Sequence, residues 1–138
     1  MIQDVQFIDI QVGDKASMSK TVSEYDIYTF AGITGDFNPM HVNAEVAKDS
    51  MFKERIAHGM LSAGFISAVL GTTLPGAKTI YLGQELAFKS AVKIGDTVTA
   101  TVEVIEKIEA KHRLIFRTTV TNQHGKVVID GKATVMKK

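Results

Sequence analysis

The chain contains no cysteine. A disulfide framework and a thiol nucleophile are therefore excluded, and a reducing cytoplasm is permitted without being required. It also lacks the run of roughly 20 apolar residues that a membrane span needs. The longest apolar stretch, Met60 to Leu74, is interrupted by Ser62, Gly64, Ser67 and Gly71 and reads as a buried helix. Met1-Ile2-Gln3-Asp4 has neither the basic start nor the apolar run of a secretory signal, so the expectation is a soluble cytoplasmic protein with no membrane partner. Charge of one sign is scarce as well. The net charge is +1, and the lysines are spread singly with a pair only at Lys137-Lys138. Without a basic stripe, nucleic acid is not an expected partner. No phosphate loop, dinucleotide fingerprint, internal repeat, low-complexity run or linker is present.

What remains is the composition of a globular protein. A hydrophobic share of 45% and a charged share of 22% argue against disorder. The 138 residues form one domain, 1–138, long enough to bury a core without metal or disulfide staples. After a turn at Gly13-Asp14, weak alternation predicts a first strand over Lys15 to Val22. Ser23 with Asp26 three positions later resembles a capping box, and Ile27, Phe30 and Ala31 recur at helical spacing until Gly32 and Gly35 close the segment. Asn43 can cap a short helix through Lys48. His58-Gly59-Met60 opens a long helix to about Leu70, ended by Gly71 and Leu74-Pro75-Gly76. This helix has no polar face, so burial all round is expected. Its small arc, Ala63, Gly64, Ser67, Ala68 and Gly71, would admit either a strand backbone or a flat ligand. From Thr79 the period becomes two, through Ile80 to Phe88, Val98 to Val104, Leu114 to Val120 and Lys126 to Met136, with Gly131 as a possible bend. Successive strands joined by short turns are expected to be antiparallel neighbours. The result is an α+β class, an antiparallel sheet wrapping one buried helix.

The chemistry concentrates in Gly35-Asp36-Phe37-Asn38-Pro39-Met40-His41. A carboxylate and an imidazole stand five residues apart across a proline that bends the chain, so both can face one small reactant such as a water. The bland alternative is that Asp36 only caps its own backbone as an Asx-turn and His41 is structural. His58-Gly59 adds a helix entry whose first N–H groups have no intrahelical partner. A glycine there lets a carbonyl approach and accept a hydrogen bond from the Gly59 N–H, although Gly59 can equally serve only a tight turn.

Tyr28 to His41 followed by His58-Gly59-Met60 resembles the hydratase-2 motif of the MaoC-like dehydratases, in particular the short (R)-specific enoyl-CoA hydratases. Tyr81 to Phe88 and Val92 to Val98 resemble that family's strand and turn, so the likeness covers nearly the whole chain. It implies a hot-dog fold, a curved antiparallel sheet around a long helix. It also implies a homodimer in which two hot dogs join edge to edge, with acyl-thioester sites near the interface.

Carried over by position, the resemblance makes Asp36 and His41 the catalytic pair and Gly59 the oxyanion-hole donor. Ser67 and Leu70 would shape a short acyl pocket, and Asn38 would hold the loop or its hydrogen bonds. No metal is implied, and coenzyme A enters only as part of the substrate, with no further cofactor. Lys48, Lys53, Arg55 and Lys89 are candidate phosphate partners that read more simply as surface charges. The implied activity is reversible hydration of trans-2-enoyl-CoA to (R)-3-hydroxyacyl-CoA, and the sequence does not choose among polyester precursor supply, acyl degradation and synthesis as its pathway. Three alternatives stand beside it: a 3-hydroxyacyl-acyl-carrier-protein dehydratase, a thioesterase, and a non-catalytic acyl-thioester binding domain on the same scaffold.

Overall fold

The computed structural model describes residues 1–138. Strand β1 (Lys15–Thr21) leads into α1 (Glu24–Thr34), then two single-turn helices, α2 (Pro39–Val42) and α3 (Ala44–Ala47), and the long α4 (Gly59–Thr72). Four strands follow: β2 (Ile80–Phe88), β3 (Thr97–Ile108), β4 (Arg113–Thr121) and β5 (Val127–Met136). Each start has a local cause. The Ser23 side chain accepts from Asp26 N–H and the Asp26 carboxylate accepts from Ser23 N–H, closing a capping box at α1. Gly35 ends that helix at φ 84°, a left-handed position that favours glycine.

All five strands form one antiparallel sheet in the order β1-β3-β4-β5-β2. Alternation in β3 buries Val98, Ala100, Val102 and Val104 completely and turns the intervening threonines and Glu103 outward. These valines, with Leu114, Phe116 and Val120 of β4, pack against Ile66, Val69 and Leu70 of α4 in one core of 22 buried residues. The outer face carries Lys15, Glu103, Arg117, Lys132 and Glu85 side by side across all five strands, which keeps it solvated. A curved sheet around a long helix is the hot-dog fold, and the α+β expectation holds.

Two expectations need correction. Strand β2 does not neighbour β3; it pairs with β5 at the far edge, and β1 pairs with β3 instead. The connector from Lys89 to Asp96 is long enough to span the intervening strands, at about 3.3 Å per extended residue. It is held on the way by Ala57 N–H donating to Val92 O at 2.7 Å. Gly131 serves this pairing: a Cβ there would overlap the carbonyl oxygen of Glu85 on β2. The second correction concerns α4, which is not buried all round. Ser62, Ala63, Ile66, Val69 and Leu70 face the core, while Met60, Gly64, Ser67 and Gly71 form an exposed stripe. The helix also runs through Gly71 to Thr72, because a glycine costs a helix only about 1 kcal/mol when one face is well packed. No helix is long and apolar enough to cross a membrane.

Candidate active site

Residues 35–41 divide into a turn and a helix, not one loop. Asp36 Oδ1 accepts from Asn38 N–H at 3.2 Å, an Asx-turn, and Asp36 N–H donates to Thr34 Oγ1 at 3.2 Å. The bland reading of Asp36 is thus realised, but it occupies one carboxylate oxygen and leaves the residue exposed. Asn38 is the N-cap of α2, its Oδ1 accepting from Met40 N–H at 3.1 Å, and Pro39 takes the first helical position, where no N–H is needed. Asn38 therefore shapes the turn that presents His41.

His41 sits half-buried on α2 with Nδ1 2.7 Å from the Ile56 carbonyl oxygen. A carbonyl only accepts, so Nδ1 carries the proton and Nε2 keeps its lone pair. Ile56 N–H returns a bond to Met40 O at 3.2 Å, which ties α2 to the segment before α4. His58 caps α4 in position though not by a side-chain bond. Its Nε2–H donates to the Asp36 carbonyl at 2.9 Å. Its ring centroid is 3.9 Å from that of His41, inclined by 31°, and 4.7 Å from that of Phe30 of α1.

Asp36, His41 and His58 each bring a ligand-type atom within 4.8 Å of the others, a grouping not legible in their spacing. A water bonded to two atoms at about 2.8 Å spans roughly 4.6 Å at a tetrahedral angle, so one water can bridge Asp36 and His41.

The three residues line a cleft of about 530 Å³ together with Gly59, Met60, Phe52, Phe88 and Ile129. Gly59 is the first residue of α4, so its N–H has no acceptor within the helix. A Cβ at Gly59 would stand 2.6 Å from Phe88 Cδ1 and Cε1, so glycine is needed for the ring to lie against the helix entry. Asp36, His41 and Gly59 are thus brought into one cleft. Ser67 and Leu70 are not part of it in the single chain: Ser67 lies on the exposed stripe of α4, and Leu70 is 2% exposed within the core.

Among the candidate cations, Lys89 alone lines the cleft. Arg55 donates to Glu24 Oε1 at 2.5 Å and to the Tyr28 hydroxyl at 2.8 Å. The Arg55 bond, helped by Tyr28, holds the Glu24 carboxyl below its ordinary range, and Glu24 raises Arg55 in turn. Lys48 is paired with Glu45 at 2.5 Å. Sequence reasoning overlooked the His58 ring, the Ile56 carbonyl and Phe88. Only His58 left a signal, since it stood inside the motif but was read as a helix entry.

A model of the MaoC like domain matches residues 9–127. The chain belongs to the MaoC-like family. It is 61% identical over 130 residues to an (R)-specific enoyl-CoA hydratase of Rhodospirillum rubrum, covering 94% of this chain and 90% of that one. It is 45% identical over 130 residues to a 3-hydroxybutyryl-CoA dehydratase of Methylorubrum extorquens, covering 94% and 82%. An unliganded R-hydratase of Pseudomonas aeruginosa superposes with a TM-score of 0.94 at 46% identity, covering 99% of this chain and 87% of that one.

Proposed function

We propose that residues 1–138 form an (R)-specific enoyl-CoA hydratase, adding water reversibly to trans-2-enoyl-CoA to give (R)-3-hydroxyacyl-CoA. The observation that carries the reading is the Asp36–His41 pair, close enough to share one water, in a largely apolar cleft that also holds the acceptor-free N–H of Gly59. The names of the R. rubrum and M. extorquens relatives support it. Asp36 takes a proton from water as the oxygen bonds to Cβ of the enoyl group. Electron density moves onto the thioester oxygen, where Gly59 N–H donates to it. His41 orients the water and shares with Asp36 the delivery of a proton to Cα. The step balances with substrate, water and these side chains alone. Asn38 supports the pair through the α2 cap. Ser67 joins the acyl pocket only if substrate or a second chain covers α4's exposed stripe, and Leu70 only if the core opens beside it.

The same reading includes a homodimer. Strand β2 is a sheet edge bearing exposed Ile80, Leu82 and Phe88, and the exposed stripe of α4 carries Met60 and small residues on the same chain. Edge-to-edge pairing of two β2 strands would cover the edge.

The test follows the enoyl absorbance and free-thiol release of crotonyl-CoA and of the matched carrier-protein thioester with purified protein, and then determines the chirality of the product. Loss of absorbance with (R) product supports the hydratase. Binding without loss of absorbance overturns it in favour of a binding domain, release of free thiol in favour of a thioesterase, and a strong preference for carrier-protein thioesters in favour of the carrier-protein dehydratase.

A further inference from the structure

His58 is 2% exposed, yet only one of its ring nitrogens has a partner. Nε2–H donates to the Asp36 carbonyl, while Nδ1 is buried with no hydrogen-bond partner. An acceptor left unsatisfied in the interior costs about 1–3 kcal/mol. For packing alone, a phenyl ring would fill the space between Phe30 and His41 without that cost. What a phenyl ring lacks is the Nε2–H, and the group that receives it is the backbone of the proposed base.

The bond has a further consequence because of what else holds Asp36. On the side chain's own segment the contacts are short-range: Thr34 Oγ1 on its N–H and Asn38 N–H on its carboxylate. Both move with the turn. The bond from His58, spanning 22 residues, ties the turn to α4, the element whose first residue is Gly59. The same imidazole packs against the His41 ring, 3.9 Å between centroids and tilted by 31°. His41 is also tied to the segment before α4 through Ile56, but the Asp36 turn reaches α4 through the His58 side chain. The other titratable residues lining the cleft are Asp36, His41 and Lys89, and none of them gives His58 a carboxylate partner at Nδ1.

We propose that His58 is a positioning residue for the hydration reaction, held as the Nε2–H tautomer, whose bond to the Asp36 carbonyl and tilted contact with the His41 ring register the catalytic pair against the oxyanion donor. The inference rests on the hydratase reading for its kinetic part and stands apart from it for its tautomer. His58 does not touch the reacting atoms. Displacing a reacting group by about 1 Å can cost on the order of 10²-fold, and that sets the scale of the effect.

The experiment compares wild type with His58→Phe, which keeps an aromatic ring and loses the donor, and His58→Gln, whose side-chain amide can again donate to the Asp36 carbonyl. Thermal unfolding and crotonyl-CoA kinetics are measured on each, and the His58 tautomer in wild type is read by long-range proton–nitrogen NMR at pH 8. The expected result is an H58F protein as stable as wild type or more so, with kcat lowered about 10- to 100-fold and KM little changed, and an H58Q protein that recovers most of that loss. The His58 spectrum should show the proton on Nε2. Wild-type kcat in H58F overturns the proposal, as do equal losses in H58F and H58Q, or a proton on Nδ1. If H58F does not fold, the comparison of H58Q with wild type and the tautomer still decide. A wild type without hydratase activity refutes the proposed function instead, and the NMR result then judges the His58 bond alone.

Discussion

Gly59→Ala tests the proposed oxyanion role of this glycine against a merely steric one. The added Cβ would lie 2.6 Å from two Phe88 ring carbons, about 1 Å inside an ordinary carbon–carbon contact of 3.5–4.0 Å. Phe88 is 54% exposed on the edge strand, so its ring can swing outward. The fold therefore loses little: part of one contact surface, offset by up to about 1 kcal/mol of helix propensity on replacing glycine by alanine. A net change within about 1 kcal/mol is expected, a few degrees in the unfolding temperature. The cleft loses more. A methyl group now stands where a thioester oxygen would approach the Gly59 N–H, and Phe88 no longer walls that side. Loss of one oxyanion donor lowers kcat about 10²- to 10³-fold. The assay is crotonyl-CoA hydration beside a thermal melt. Wild-type kcat with an unchanged melt would refute the assignment of Gly59. A melt lowered by ten degrees or more would refute the claim that Phe88 can yield.

Asp36→Asn and His41→Ala should each lower kcat by about 10²- to 10⁴-fold with the melt within a few degrees of wild type, since Asp36 is exposed and His41 half-buried; substantial activity in either sinks the pairing. Ser23→Ala removes one half of the capping box and should cost about 1 kcal/mol, visible in urea unfolding at unchanged m-value. Because α1 carries Phe30 against His58, that variant should also raise the B-factors of the Phe30 region in a crystal before it affects the sheet. For pH dependence, Asp4 is the informative group. A hydrogen bond from the buried Lys137 lowers its carboxyl below the ordinary range, opposed by burial and aided by the charges of Lys137 and Lys78. A lowered folded-state pKa contributes stability above the unfolded value, near 4, that is lost as pH falls through the folded one. Asp4→Asn should therefore destabilise most near neutrality, and the gap to wild type should close below about pH 4; a gap that persists in acid would show the contact is not ionic.

What was legible in the sequence is what depends on near neighbours. The Ser23–Asp26 box, the Gly35 stop, the Asn43 cap and the period-two strands each follow from residues within a few positions, where local propensity and side-chain-to-backbone bonds act without help. The motif around Asp36 and His41, with Gly59 at a helix entry, likewise pointed to the cleft. Periodicity, however, reports which face of a strand is buried and not which strand lies beside it, so β2 was misplaced. Its partner is chosen by where Gly131 lets two backbones approach and by a connector that crosses the intervening strands. An apolar helix was read as buried on all sides because hydropathy cannot tell an exposed apolar stripe from a covered one.

The sequence by itself determined the class of fold, the elements and the chemical groups of the site, since these are set by composition and short-range pattern. Only the tertiary structure decided that His58 packs against His41 and bonds to Asp36, that Phe88 lies over Gly59, and that Leu70 belongs to the core. These are contacts between residues distant in the chain, fixed only when the sheet closes on α4 and every buried group must find its neighbours at once.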